Sequence, residues 1–374
     1  MVPDGAAAGV RWHSIQALRA LAVLAVVGCH MVPVERKYSG GDLLLPASLW
    51  AGQLGVDLFF VISGFVMVAI AGQGPDRTPA TLRFLWHRAA RIYPTYWVYF
   101  LLTLAALWLQ PQWVNASQNH HADLLRSFLL WPGEQLPLVM VAWSLIHELW
   151  FYLVFALLLR LPRRWLPHCL ALWALSVLAV NLAVDPLALP PPLRLATHVY
   201  TLEFIAGALV VLHVLHPRRP QLPPLPAALL GLAALLGGPW LIWTQGLLEA
   251  PPLWRVAAAG TACAGLVLAA VSLERALPGR VPQILVRVGD WSYTIYLSHL
   301  LVLGTLGRIW QALGADPARP GDNALALAAM AAGVLLYGAL AWRWIERPLV
   351  GATRRLWQAW FERQHAVRRV GRPT

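Results

Sequence analysis

The chain has 374 residues, of which 59% are hydrophobic and only 12% are charged. Soluble domains carry about twice that density of charge, so this composition excludes an ordinary soluble domain and a disordered chain. The formal net charge of +12 leaves two classes of partner open, a nucleic acid or an anionic membrane surface.

Apolar segments recur along the chain, separated by short stretches rich in Pro, Gly and Arg. Since about 20 apolar residues suffice to cross a bilayer, ten spans are predicted, at 15–34, 49–71, 94–110, 142–160, 166–184, 197–214, 225–243, 253–274, 290–310 and 323–344. The sequence therefore predicts an all-α polytopic membrane protein, a bundle of about ten transmembrane helices in a lipid bilayer. Residues 1–349 form the predicted transmembrane domain, and 350–374 a basic and aromatic tail suited to the surface of the membrane.

The basic residues predict the orientation of the bundle, because cytoplasmic loops collect Lys and Arg. With the N-terminus inside, 22 of the 29 Lys and Arg fall on the cytoplasmic side, and an even number of spans places both termini there. The excess of positive charge is then explained by the orientation of the bundle in the membrane, and no nucleic acid partner is expected. All but one of these 29 residues are Arg, as in GC-rich genomes, which favours the cytoplasmic (inner) membrane of a bacterium.

Ionisable residues inside spans are functional candidates, because burying them in lipid is costly. In the first span, Arg19 and His30 are 11 residues apart, which places both on one helical face, about 16 Å apart along the axis. Arg19 is expected near the cytoplasmic boundary and His30 deeper in the membrane. Two interpretations stay open: a functional pair, or an arginine that reaches the head groups beside a hydrogen-bonded core histidine.

The second span begins with the sequence GVDLFFVISGF at 55–65. Its acidic residue, Asp57, is predicted either to orient His30 or to pair with an arginine. Gly64 lies on the same face seven residues later and allows a neighbouring helix to approach closely.

Arginines follow at i, i+3 in the sequence RAARIYP, as Arg88 and Arg91. Their guanidinium groups leave the same helical face, and two such groups suit a phosphate or pyrophosphate. The alternative is that they anchor the helix at the cytoplasmic interface. At the end of the last span, Glu346 and Arg347 are expected to form a structural ion pair.

Two more spans carry polar residues at helical spacing. In the fourth the stripe consists of Ser144, Glu148 and Tyr152, and in the ninth of Ser292, Tyr296 and His299. Polar stripes on several spans predict a shared internal cavity, and hence chemistry or transport. No cluster with the spacing of metal ligands is found, so no metal is expected.

Taken in order, these motifs resemble the acyltransferase 3 family of integral-membrane O-acyltransferases. The resemblance runs from about Leu18 to Leu349 and ends with IERPL at 345–349. It implies transfer of an acyl group, often acetyl, from cytoplasmic acyl-CoA to a hydroxyl of a carbohydrate or related acceptor, such as a secondary metabolite. It also implies that His30 is catalytic beside Arg19, and that Arg88 and Arg91 lie at the CoA entrance.

Acyl transfer to an alcohol needs a base whose pKa is near ambient pH, and His30 fits that requirement. Either Glu148 or Asp57 is expected to hold the imidazole in its tautomer. The candidates for binding substrate or the oxyanion are Ser292, Tyr296, His299 and Tyr152. The pantetheine arm is expected to run through one cavity, past Arg19, to His30. The alternative function is a transporter or flippase of a lipid-linked or small polar substrate.

Overall fold

The computed structural model describes residues 11–39, 43–71, 77–115, 118–216, 218–250, 252–314 and 320–370. All regular elements in these ranges are helical, and they contain no strand. The α-helices are α1 (His13–Tyr38), α2 (Leu54–Ala71), α3 (Arg77–Leu109), α4 (Leu124–Leu129), α5 (Trp143–Leu158), α6 (Leu166–Ala183), α7 (Pro191–Ala196), α8 (Thr201–Val214), α9 (Pro224–Leu232), α10 (Gly238–Thr244), α11 (Pro252–Ala276), α12 (Gln283–Ala312), α13 (Pro320–Ala341) and α14 (Arg347–Val370).

Nine helical stretches of the described residues are long and apolar enough to cross a membrane. They coincide with nine of the ten predicted spans, and so the all-helical, membrane-spanning fold class is confirmed. The other predicted span, 290–310, lies in α12, a helix of 30 residues whose polar side chains lower its mean hydropathy. At 1.5 Å per residue α12 is about 45 Å long, enough to cross a bilayer. The exact number of spans and the side on which the termini lie stay predictions.

Two pairs of closely packed helices form the centre of the bundle, α1 with α12 and α2 with α8. A Cβ atom on Gly64 would lie 1.8 Å from the carbonyl oxygen of Phe204, and one on Gly207 would lie 1.8 Å from that of Val61. The backbones of α2 and α8 are therefore in direct contact, as predicted for Gly64. Gly289 of α12 has the same function against α1, where an added Cβ would lie 1.9 Å from a carbonyl oxygen.

Gly64→Leu is expected to prevent folding, because no rotamer relieves a clash between Cβ and a backbone oxygen. Gly351→Leu is the matched control, since a Cβ at Gly351 in α14 would meet nothing within 4 Å. Size-exclusion chromatography of detergent-solubilised protein should show a monodisperse peak for the control and aggregate for Gly64→Leu. A monodisperse Gly64→Leu variant would contradict the close contact.

The last two helices are joined without a loop, through a π-helical turn at Trp342–Glu346. The boundary predicted between domain and tail, at 349/350, therefore falls inside α14. The tail is helical as far as Val370, and α14 packs on α3. Side chains of residues 360–370 lie outside the described part of the chain, and contact of the tail with the lipid surface stays a prediction.

Candidate active site

An internal cavity of about 100 Å³ lies among α1, α2, α3, α5 and α12. Seven of the ten predicted site residues line it: Arg19, Arg88, Arg91, Glu148, Tyr152, Ser292 and Tyr296. Most of the remaining wall is aliphatic and aromatic, with Phe59 and Phe60 of α2. The predicted polar stripe of α5 and the first two members of the stripe of α12, Ser292 and Tyr296, thus face one shared space, whereas His299 does not line it.

Two of the guanidinium groups in this cavity have no carboxylate partner. Arg19 donates from Nε and Nη2 to the Oγ of Ser292, at 3.1 and 2.9 Å. Arg88 lies against the rings of Phe84 and Tyr152, at 5.9 and 5.8 Å. Neither arginine forms an ion pair with any residue that the structure describes. Because unpaired buried cations are costly, the cavity is electrostatically suited to an anion.

The third arginine, Arg91, lies 3.9 Å from the carboxylate of Glu346. The predicted pairing of Glu346 with Arg347 is therefore wrong, and Arg347 lies over the ring of Trp342 instead. Neighbouring residues of a helix point about 100° apart, so their side chains do not face each other. The π-helical turn at Trp342–Glu346 contains Glu346, and the contact with Arg91 ties this turn to α3.

Glu148 accepts a hydrogen bond from the Oγ of Ser63 at 2.8 Å and another from the hydroxyl of Tyr152. The second bond joins two members of the α5 stripe one turn apart. Both hydrogen bonds hold the carboxylate at the cavity wall, and neither involves His30. Glu148 therefore does not orient the imidazole in this structure.

Asp57 is fully buried and lies 2.8 Å from Nη2 of Arg255 in α11. Arg255 also donates to the hydroxyl of Tyr200 at 2.9 Å. Of the two alternatives predicted for Asp57, the structure shows the pairing with an arginine. Its expected role beside His30 is wrong, because α2 directs this carboxylate toward α8 and α11.

The partner of His30 is His299 on α12, whose Nε2 lies 3.2 Å from Nδ1 of His30. Nδ1 of His299 contacts the carbonyl oxygen of Tyr296 at 2.7 Å, and Nδ1 of His30 contacts that of Val26 at 2.9 Å. Carbonyl oxygens only accept, so each Nδ1 must carry a hydrogen. The one N–H on Nδ1 of His30 is then shared between the carbonyl oxygen of Val26 and Nε2 of His299. In the neutral ring this leaves Nε2 of His30 unprotonated.

This arrangement corrects the role predicted for His299. Both of its nitrogens are engaged, and its side chain is fully buried. No N–H of this ring remains to stabilise an oxyanion.

The cavity does not reach His30, contrary to the expectation of one continuous path. Its wall at that side is Tyr296, whose hydroxyl donates to the carbonyl oxygen of Val141 at 3.0 Å and lies 2.9 Å from the Oγ of Ser144. The ring of Tyr296 lies 6.0 Å from that of His299. We call this contact between α12 and α5 the Tyr296 bar; it separates the arginine cavity from the histidine pair by one helical turn.

Comparison with known proteins identifies the family. The profile of a family described as "Acyltransferase domain" matches residues 12–343. The chain belongs to the acyltransferase 3 family. The match includes all ten predicted site residues and the whole cavity wall.

Two curated relatives resemble this family member along most of their length. The exopolysaccharide production protein ExoZ of Rhizobium meliloti (strain 1021) is 33% identical over 313 residues, which cover 82% of this chain and 92% of ExoZ. The acyltransferase MdmB of Streptomyces mycarofaciens is 29% identical over 377 residues, covering 88% and 90%. No solved structure matches the chain significantly.

Three residues of this acyltransferase hold the site together although the sequence analysis assigned them no role. Ser63 binds Glu148 across α2 and α5, and Arg255 neutralises Asp57. Tyr293 donates from its hydroxyl to the carbonyl oxygen of Ile92 at 2.8 Å and so fixes α12 to α3. Ser63 and Tyr293 stand within the motifs at 55–65 and 289–299, but Arg255 had no signal beyond being a single charge near the start of a span.

Proposed function

We propose that this protein is an acyl-CoA-dependent membrane O-acyltransferase. It would transfer an acyl group, acetyl first among them, to a hydroxyl of a carbohydrate or similar acceptor. The observation that carries the proposal is the cavity with two unpaired guanidinium groups, Arg19 and Arg88. Among the relatives, the name of MdmB refers to an acyltransferase and that of ExoZ to exopolysaccharide production, which supports acyl transfer with a saccharide as the acceptor.

Acyl-CoA is the donor substrate in this proposal. Arg88 and Arg91 leave one face of α3 toward the cavity and would bind phosphate oxygens of CoA. The excess of Arg on this side of the bundle supports its location at the cytoplasmic face of a bacterial inner membrane. The pantetheine arm would then extend past Arg19 toward the Tyr296 bar.

Nε2 of His30 would act as the general base. As it removes the proton of the acceptor hydroxyl, the oxygen attacks the thioester carbonyl carbon and a tetrahedral oxyanion forms. The C–S bond then breaks, the new C–O ester bond remains, and the CoA thiolate takes the proton from His30. Arg19, through Ser292, and the hydroxyl of Tyr296 would stabilise the oxyanion.

This reaction requires the Tyr296 bar to open. Tyr296 is held by one hydrogen bond with Ser144 of α5 and one to Val141 just before α5, and neutral hydrogen bonds have a modest net free energy, about 1 kcal/mol each. An incoming thioester would replace those contacts with its own carbonyl oxygen. The thioester of acyl-CoA and the imidazole of His30 would then come into contact only when the donor occupies the cavity.

A transporter or flippase would use the same cavity for passage. Membership of an acyltransferase family favours the enzyme, and detergent micelles separate the two functions because they hold no gradient. Incubation of the purified protein with radiolabelled acetyl-CoA and host surface glycans is expected to give alkali-labile ester label on the glycans. If folded protein neither labels the glycans nor releases CoA, the proposed acyltransferase activity is contradicted.

Arg88→Gln is expected to raise the KM for acetyl-CoA by about tenfold with little change in kcat, because it removes a charge-assisted contact made equally in ground and transition states. The control is Arg160→Gln, an exposed arginine just after α5, which should leave KM unchanged. Steady-state kinetics with varied acetyl-CoA measures both. An unchanged KM in Arg88→Gln would remove Arg88 from the donor site.

A further inference from the structure

Two Arg-x-x-Trp pairs meet where α14 packs on α3. Arg83 and Trp86 lie three residues apart on α3, as do Arg354 and Trp357 on α14, so each arginine shares a helical face with its tryptophan. The two indole rings stack, with centroids 5.5 Å apart and planes 27° apart. We call these four residues the Arg-Trp patch.

The patch is positively charged, and its arginines are exposed. Neither Arg83 nor Arg354 forms an ion pair within the part of the chain that the structure describes. Next to the patch, the ring of His87 lies 6.4 Å from that of Trp357 and in electrostatic range of both arginines and of Arg88. Since Arg88 lines the cavity, the patch lies at the end of the bundle where the arginine cavity begins.

The position of the patch suits one part of the proposed donor. Its neighbour Arg88 lines the cavity, so a donor whose thioester arm enters the cavity would have its nucleotide near the patch. An aromatic pair flanked by two guanidinium groups offers the two contacts that a nucleotide uses, stacking for the base and charged hydrogen bonds for the phosphates.

We propose that the Arg-Trp patch binds the adenosine 3′-phosphate end of the acyl-CoA donor, with the base against the tryptophans and the 3′-phosphate against Arg83 and Arg354, while the pyrophosphate is left to Arg88 and Arg91. This inference rests on the proposed function, and it makes α14 part of the donor site. Trp86 keeps 37% of its surface exposed and so offers area to an added ring. Lipid phosphates have the same charge, and interfacial Trp and Arg also suit head groups, so the experiment must separate nucleotide from lipid.

The experiment compares acetyl-CoA with S-acetylpantetheine, which carries the thioester and lacks the nucleotide, on the purified full chain in detergent. Trp357→Ala and the double variant Arg83→Gln/Arg354→Gln are each expected to raise the KM for acetyl-CoA about tenfold, in keeping with the loss of one stacked base or two charged contacts. The KM for S-acetylpantetheine should not change. Isothermal titration with adenosine 3′,5′-bisphosphate should show binding to the unsubstituted protein and at least tenfold weaker binding to both variants.

Two further variants test the specificity of the effect. Trp357→Phe keeps an aromatic face and should restore most of the affinity for the bisphosphate. Trp108→Ala removes a tryptophan that is 76% exposed near the other end of α3 and should behave like the unsubstituted protein.

Equal KM changes for both donors would assign the patch to lipid contact or folding and overturn the inference. So would unchanged bisphosphate binding in the variants. If the unsubstituted protein binds the bisphosphate but acylates no acceptor, the proposed function fails while the nucleotide site stands.

Discussion

His30→Ala is expected to reduce acyl transfer by about 10²- to 10⁴-fold, the contribution usual for a general base. The ring removed carries the unprotonated Nε2 of the histidine pair, and no carboxylate among the described residues contacts it as a substitute. Initial rates of ester formation from acetyl-CoA measure the effect. The KM for acetyl-CoA should stay within about twofold, because the substitution leaves the proposed contacts of Arg88 and Arg91 with the phosphates in place.

His168→Ala is the control for a histidine substitution as such. His168 is exposed on α6 and meets the ring of Trp165 edge to face, so activity should be unaffected. Retention of substantial activity in His30→Ala, with the protein expressed and monodisperse, would rule out His30 as the base.

His299→Asn is expected to lower kcat by about 10²-fold without changing the KM for the donor. An Asn amide reaches the position of Nδ1 and keeps the bond to the carbonyl oxygen of Tyr296, but it leaves no acceptor for His30. Loss of the group that holds a catalytic imidazole in its tautomer costs up to about 10⁴-fold in a serine protease. The cost here should be smaller, because the carbonyl oxygen of Val26 still accepts from His30.

His299→Gln is the matched variant, because its amide oxygen reaches the position of Nε2 and can accept from His30. It should retain most of the activity. The ¹⁵N NMR signals of the His30 ring report its tautomer, which would not change if His299 were purely structural. The unsubstituted protein and His299→Gln should show a protonated Nδ1 and an unprotonated Nε2. His299→Asn should show a mixture of the two tautomers. Equal loss of activity in the two variants, with unchanged tautomers, would show that His299 only fills space.

The membrane-spanning helices were predictable because the length and apolar composition that let a segment cross a bilayer are visible in the local sequence. Nine of ten predicted segments coincide with long apolar helices, and the i, i+4 spacing of Ser144, Glu148 and Tyr152 was enough to place all three at one cavity. Likewise, Gly64 indicated a close helix contact, and α8 meets α2 there through Gly207.

The partners of the polar residues were not predictable in the same way. Asp57 and Arg255 are 198 residues apart, and His30 and His299 are 269 apart. Nothing in the local spacing of either residue tells which helix will lie beside it. The predicted pair of Glu346 and Arg347 failed for a different reason. The two residues are adjacent in the sequence, but adjacent side chains of a helix point in different directions and do not contact each other.

The Tyr296 bar has a consequence for the cell as a whole. A protein that admits a thioester from one side of a membrane and an alcohol from the other would, if both halves were open together, let protons and small ions run down the membrane potential. With Tyr296 hydrogen-bonded to Ser144 and Val141, the proposed enzyme would keep these compartments apart while it holds no donor. A smaller residue at this position, such as alanine, should therefore make energised vesicles leak protons even when no acyl donor is present.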